Sequence, residues 1–205
     1  MSATTARPRR GNRRAHVALA AVMLEVLVFS LGLALYFSGS GSSPARIGGP
    51  FSLIDGDGRP VTDRDYRGQY VLLYFGYTFC PDICPTTLNE VAVAMRDLGA
   101  NAGRVRPLFI TVDPQRDGPQ AVKEYAAAFY PRMVGLTGTV AQVARVAREY
   151  RVSYAAHRTG PDAGDYTVDH SSLLYLVGPD GRFLAPIRAD EPGAAIAADI
   201  AEHFY

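Results

Sequence analysis

Residues 70–88 read YVLLYFGYTFCPDICPTTL, and they join three kinds of local structure in one short passage. Tyr70–Tyr77 is a near-continuous apolar run, the pattern of a strand covered on both faces rather than of an exposed hairpin. Two cysteines four apart, Cys80 and Cys84, follow it directly. Pro85 then opens a stripe of Leu88, Val91, Met95 and Leu98 at helical spacing. Proline suits a first helical turn, where the amide hydrogen it lacks would go unpaired anyway. A buried strand passing through a cysteine loop into a helix predicts an α/β sheet with the cysteines at the strand's carboxyl end, where such folds place their sites.

Working outward, Leu108–Val112 (LFITV) and Leu173–Val177 (LLYLV) read as further buried strands. Amphipathic segments lie between them: Val122, Tyr125 and Phe129 after Asp117-Gly118-Pro119, and Val140, Val143, Ala147 and Tyr150 with Thr139 as cap. Ile196, Ile200 and Phe204 form a last helix behind Pro192. Gly178-Pro179-Asp180-Gly181 separates LLYLV from Phe183–Ile187 and predicts an antiparallel pair, and Asp55-Gly56-Asp57-Gly58 predicts another hairpin. The expected architecture is α/β, a mixed sheet flanked by helices over residues 48–205.

The chain has 205 residues, 48% hydrophobic and 20% charged, with a net charge of +1 that hides an asymmetry. Residues 1–14 carry five arginines and no acid, whereas residues 38–205 hold 16 basic and 19 acidic side chains, a net of −3. A basic surface for nucleic acid is therefore not expected. Residues 15–37, AHVALAAVMLEVLVFSLGLALYF, would make a helix of about 34 Å, enough to cross a hydrocarbon core of roughly 30 Å. A cleavable signal's apolar stretch is shorter, about 7–15 residues, which favours a retained anchor over cleavage near Ser38–Ser40. The arginines place the amino terminus in the cytoplasm and send the rest across the inner membrane. Glu25, alone in the span, is read as a protonated or locally hydrated carboxyl rather than a contact with a partner's helix. Residues 38–47 form a tether by composition.

The only two cysteines could form a structural disulfide in an exported domain. A bridge across so short a loop constrains the unfolded chain little, so a functional pair is the better reading. The helix start after Cys84 should favour thiolate, the form that attacks disulfides and binds soft metals. Of four histidines, His16 abuts the span, His157 lies in a polar loop and His203 is on the last helix. His170, just before LLYLV, is the one near a buried strand, but spacing alone does not bring it to the cysteines. Redox exchange and metal binding both stay open at this point.

Taken together, GYTFCPDICPTTL (76–88), VDPQRD (112–117) and VDHSS (168–172) resemble the Sco/SenC family of copper-binding proteins. The likeness extends over roughly residues 48–205. It implies a thioredoxin-like fold and delivery of copper to the copper A centre of cytochrome c oxidase. It also implies Cys80, Cys84 and His170 as copper ligands. Two sulfurs and one imidazole suit cuprous ion, and either oxidation state is compatible with the family. Asp113 or a water could complete four ligands, which keeps zinc open. Asp113 is weighed evenly as an outer residue that orients a ligand or as a turn former before Pro114, and Asp169 as a weaker outer partner for the imidazole. Tyr77 and Phe79 are read as pocket walls or as ordinary core. The implied partners are the copper A-bearing oxidase subunit, other copper chaperones and thiol reductants. The competing functions are a thiol–disulfide oxidoreductase acting through a redox-active Cys80–Cys84 pair, and a copper or redox sensor.

Overall fold

The computed structural model describes residues 12–38, 47–162 and 164–205. The expected basic segment 1–14 falls mostly, and the tether 38–47 almost wholly, outside the described residues. The chain divides into two compact units, residues 1–45 and 46–205. In the first, helix α1 spans Asn12–Ser38, and its stretch His16–Leu33 has a mean hydropathy of 2.1 with none of it buried. By length and composition it is a candidate membrane span. Glu25 is exposed on it.

The second unit is built on a seven-stranded mixed sheet. Its strands are β1 (Ser52–Asp55), β2 (Pro60–Thr62), β3 (Tyr70–Gly76), β4 (Val105–Thr111), β5 (Val134–Thr137), β8 (Leu173–Val177) and β9 (Phe183–Arg188). They lie in the order β2-β1-β5-β4-β3-β8-β9. β3, β4 and β5 are parallel, and the remaining pairs are antiparallel. The helices are α2 (Ile83–Asp97), α3 (Pro119–Phe129), α4 (Val140–Glu149) and α5 (Gly193–Ala201).

Why β3 is apolar throughout is visible in its two faces. Tyr70, Leu72 and Tyr74 pack with Leu88, Val91 and Met95 of α2, Val122 of α3 and Ile196 of α5. Val71, Leu73 and Phe75 pack on the other face with Val143, Val146 and Ala147 of α4. Successive side chains of a strand point oppositely, so a strand covered twice needs an apolar residue at every position. β4 and β8 divide in the same way between the two cores.

The expected helices and both turn-based hairpins are present, Thr139 caps α4 through its hydroxyl, and the mixed sheet with flanking helices is the expected fold. Two things differ from the sequence reading. β5 fills the sheet between β4 and β1 without having been foreseen. In addition, β6 (Tyr154–Arg158) and β7 (Tyr166–His170) form a separate two-stranded hairpin, with Tyr154 opposite His170. His157 and His170 therefore sit on strands, not in loops.

Candidate metal centre

Three elements meet at the carboxyl end of β3. The chain leaves the sheet at Gly76, passes Cys80 in a loop, and enters α2, whose second residue is Cys84. Cys84 is fully buried while Cys80 is half-buried, and both are free thiols. The Cys84 N–H, one of the unpaired donors of a first helical turn, donates to Cys80 Sγ at 3.4 Å. His170, the last residue of β7, brings its Nε2 to 3.2 Å from Cys84 Sγ. The ligand atoms of Cys80, Cys84 and His170 all lie within 4.8 Å of one another. Among the described residues no fourth His, Cys, Asp or Glu joins this group.

The histidine is held in one tautomer. Its Nδ1 is 3.2 Å from the Ser171 carbonyl, which can only accept, so Nδ1 carries the proton and the Nε2 lone pair faces the sulfur. Tyr74 and Tyr77 stand edge-on to the imidazole, with ring centroids 5.9 and 6.1 Å away. Burial keeps the imidazole below its ordinary value and therefore neutral near pH 7.

The expectation for Cys84 is overturned by the same burial. Desolvation pushes its thiol up to about 12, outweighing the helix start. In the metal-free protein Cys84 is thus a thiol whose proton can be donated to Nε2. Tyr74, whose phenol burial also pushes upward, donates its hydroxyl to Cys84 Sγ at 3.7 Å.

The outer residues are placed differently from one another. Asp169 turns away: neighbouring strand residues face opposite sides, and its exposed carboxylate pairs with His157 Nε2 at 3.0 Å. It does not reach the imidazole nitrogen that Ser171 holds. Asp113, at the end of β4, is buried, and its carboxylate accepts from Tyr166 Oη at 2.8 Å and pairs with Arg116 Nε at 2.5 Å. Tyr77 is buried as a wall of the site, but Phe79 is 62% exposed and does not seal it.

Sequence reasoning missed Tyr74, Arg116 and Asp117. Asp117 is wholly buried and accepts from Thr78 N at 2.9 Å, Thr78 Oγ1 at 2.5 Å and Thr111 Oγ1 at 2.6 Å, anchoring the loop that leads to Cys80. The signal was present in VDPQRD, where an Arg and a second Asp sit close behind a strand end.

A family model described as SCO1/SenC matches residues 39–204. A mouse protein, "Protein SCO1 homolog, mitochondrial", is 46% identical over 159 residues, covering 77% of this chain and 56% of that protein. The chain thus spans little more than half the length of this curated relative. Among solved structures, Arabidopsis thaliana ScoI with copper bound superposes with a TM-score of 0.71 at 42% identity, over 76% of this chain and 96% of that one. Bradyrhizobium japonicum ScoI with copper bound gives 0.68 at 43%, over 77% of this chain and 99% of that one.

Proposed function

Since the chain belongs to the SCO1/SenC family, we propose that it is a membrane-tethered copper carrier whose cargo is held by Cys80, Cys84 and His170. The proposed recipient is the copper A-bearing subunit of cytochrome c oxidase. The observation that carries this reading is the convergence of two sulfurs and a neutral imidazole within 4.8 Å, from three separate elements. Thiolate and imidazole are soft and borderline ligands, and the set lacks the oxygen donors that harder ions need. Cuprous ion with two thiolates and a neutral imidazole carries a net charge of −1, next to the positive end of α2.

Transfer is ligand exchange at constant oxidation state. An acceptor thiolate binds the three-coordinate ion, one donor sulfur leaves, and the vacated thiolate takes back a proton. Cys80 is the half-exposed sulfur and Cys84 the sealed one, so exchange begins at Cys80. The same contrast of one accessible and one buried thiol supports a second reading, thiol–disulfide exchange, in which Cys80 attacks an acceptor disulfide and Cys84 resolves the mixed disulfide. In the proposed setting, α1 anchors the chain in the inner membrane with residues 48–205 on the outer side.

Anaerobic cuprous titration of the full chain in detergent, read by X-ray absorption, tests the carrier reading. One ion per chain with two sulfur neighbours and one nitrogen is expected, and His170→Ala should lose the nitrogen and most of the affinity. A copper shell without nitrogen in the wild type, or unchanged affinity in His170→Ala, would overturn it.

A further inference from the structure

We propose that Arg116 is a positioning residue: it clamps the far end of the β6–β7 hairpin to the Cys80 loop and so fixes His170 over the two sulfurs. This rests on the copper-site reading above. The need for such a clamp follows from topology. β6 and β7 pair only with each other and have no ladder to the seven-stranded sheet. At one end, His170 is tied to β8 through the two residues Ser171 and Ser172. Ser153 and Ser171 bond across that base and Val168 packs into the core, whereas the opposite end of β7, at Tyr166, has no ladder to the main sheet. Tyr166 lies four residues back from His170, about 13 Å along the strand and on the same face. Holding Tyr166 therefore fixes the free end of the strand that presents His170.

Arg116 grips that end from several directions. Its Nη1 donates to the Tyr166 carbonyl at 3.0 Å and the Gly164 carbonyl at 3.2 Å. Its guanidinium carbon lies 3.6 Å from the Tyr166 ring centroid, 4.9 Å from that of Phe79 and 5.7 Å from that of Tyr77. Phe79 immediately precedes Cys80, so the same planar cation touches both the hairpin and the cysteine loop. Nε is bound to Asp113 Oδ2, and the other oxygen of that carboxylate accepts from Tyr166 Oη at 2.8 Å. Nη2 is buried without a hydrogen-bond partner among the described residues, and the aromatic faces around the guanidinium are what offset its desolvation. Lysine carries the charge but neither the fork nor the flat surface that this arrangement uses.

The test compares the full chain in detergent with its Arg116→Lys and Tyr166→Phe variants by anaerobic cuprous titration and X-ray absorption. Arg116→Lys should weaken copper binding about 10–100-fold, as loss of an outer partner of a metal-bound histidine does elsewhere. The nitrogen neighbour should disappear while both sulfurs remain, and added imidazole should restore it. Amide exchange should quicken in residues 154–170 ahead of the sheet. Tyr166→Phe, which removes only the bond to Asp113, should weaken binding about threefold to tenfold and serves where the lysine variant does not fold. An Arg116→Lys protein with wild-type affinity and an intact nitrogen shell would overturn the clamp and leave the copper site standing. Loss of affinity with the nitrogen retained, or a lost nitrogen that imidazole does not restore, would also overturn it. A wild type without the nitrogen defeats the copper-site reading instead.

Discussion

Gly76→Ala offers a sharp probe of how tightly the sheet and the candidate centre are joined. A Cβ on residue 76 would lie 2.7 Å from Cys84 Sγ and 3.0 Å from Phe109 Cε2. Ordinary separations of non-bonded carbon and sulfur are about 3.5–4.0 Å, so something has to give by roughly 1 Å. The backbone of residue 76 has little room to retreat: it pairs with Thr111, and its carbonyl accepts from Val112 N at 2.8 Å. The sulfur is confined as well, with His170 Nε2 at 3.2 Å and Tyr74 Oη at 3.7 Å. Overpacking of this kind costs about 1–3 kcal/mol. Denaturant unfolding of the metal-free protein should show that loss, and copper titration should show an affinity reduced at least about tenfold as Cys84 leaves its position. The decisive measurement is the double variant. Removing the sulfur with Cys84→Ala should relieve most of the glycine substitution's cost, a coupling of about 1 kcal/mol or more. Independent, additive costs would refute the claim that the sheet glycine exists to admit the sulfur.

Two further outcomes follow from burial and charge. At pH 8 iodoacetamide should modify Cys80 well before Cys84, because a thiol pushed up to about 12 from an ordinary 9.0 has roughly a thousandfold less thiolate, before its burial is counted; mass spectrometry after peptide cleavage reads the order, and equal rates would contradict the sealed geometry. Carbonate extraction of membranes should leave the full-length protein in the pellet, whereas a shortened soluble product would show that α1 is removed rather than retained.

The fold was legible where burial on two faces forced an unambiguous pattern. Tyr70–Tyr77, LFITV and LLYLV could hardly be anything but interior strands, and the prolines and the Thr139 cap marked helix starts. β5 escaped because it is four residues long with Gly135 inside it. That glycine reads as a breaker, yet a Cβ there would strike the Val122 carbonyl, so it is a point of close helix–strand packing. The β6–β7 hairpin escaped because most of β6 is exposed, so YAAHR shows no apolar alternation. The cysteines announced themselves by spacing, but His170 is 86 residues from Cys84 and reaches it through that unseen hairpin. No local pattern encodes such a meeting. The direction of the Cys84 shift was misjudged for a related reason: the helix start is visible in sequence, whereas the depth of the sulfur is a property of the packed molecule.

That depth bears on how a carrier could hold its cargo yet release it. Without metal, Cys84 is satisfied internally, giving its proton to Nε2 and accepting from Tyr74. An incoming ion has to displace the thiol proton, and only a metal that gains much from sulfur recovers that cost. Among the described residues no carboxylate joins the two sulfurs to suit a harder ion, and that of Asp113 on the adjoining strand end is committed to Arg116 and Tyr166. The same burial gives exchange a direction. In the proposed transfer an acceptor sulfur can approach only past the half-exposed Cys80, so it replaces Cys80 first, and Cys84 is the last to let go, regaining its proton as the ion departs.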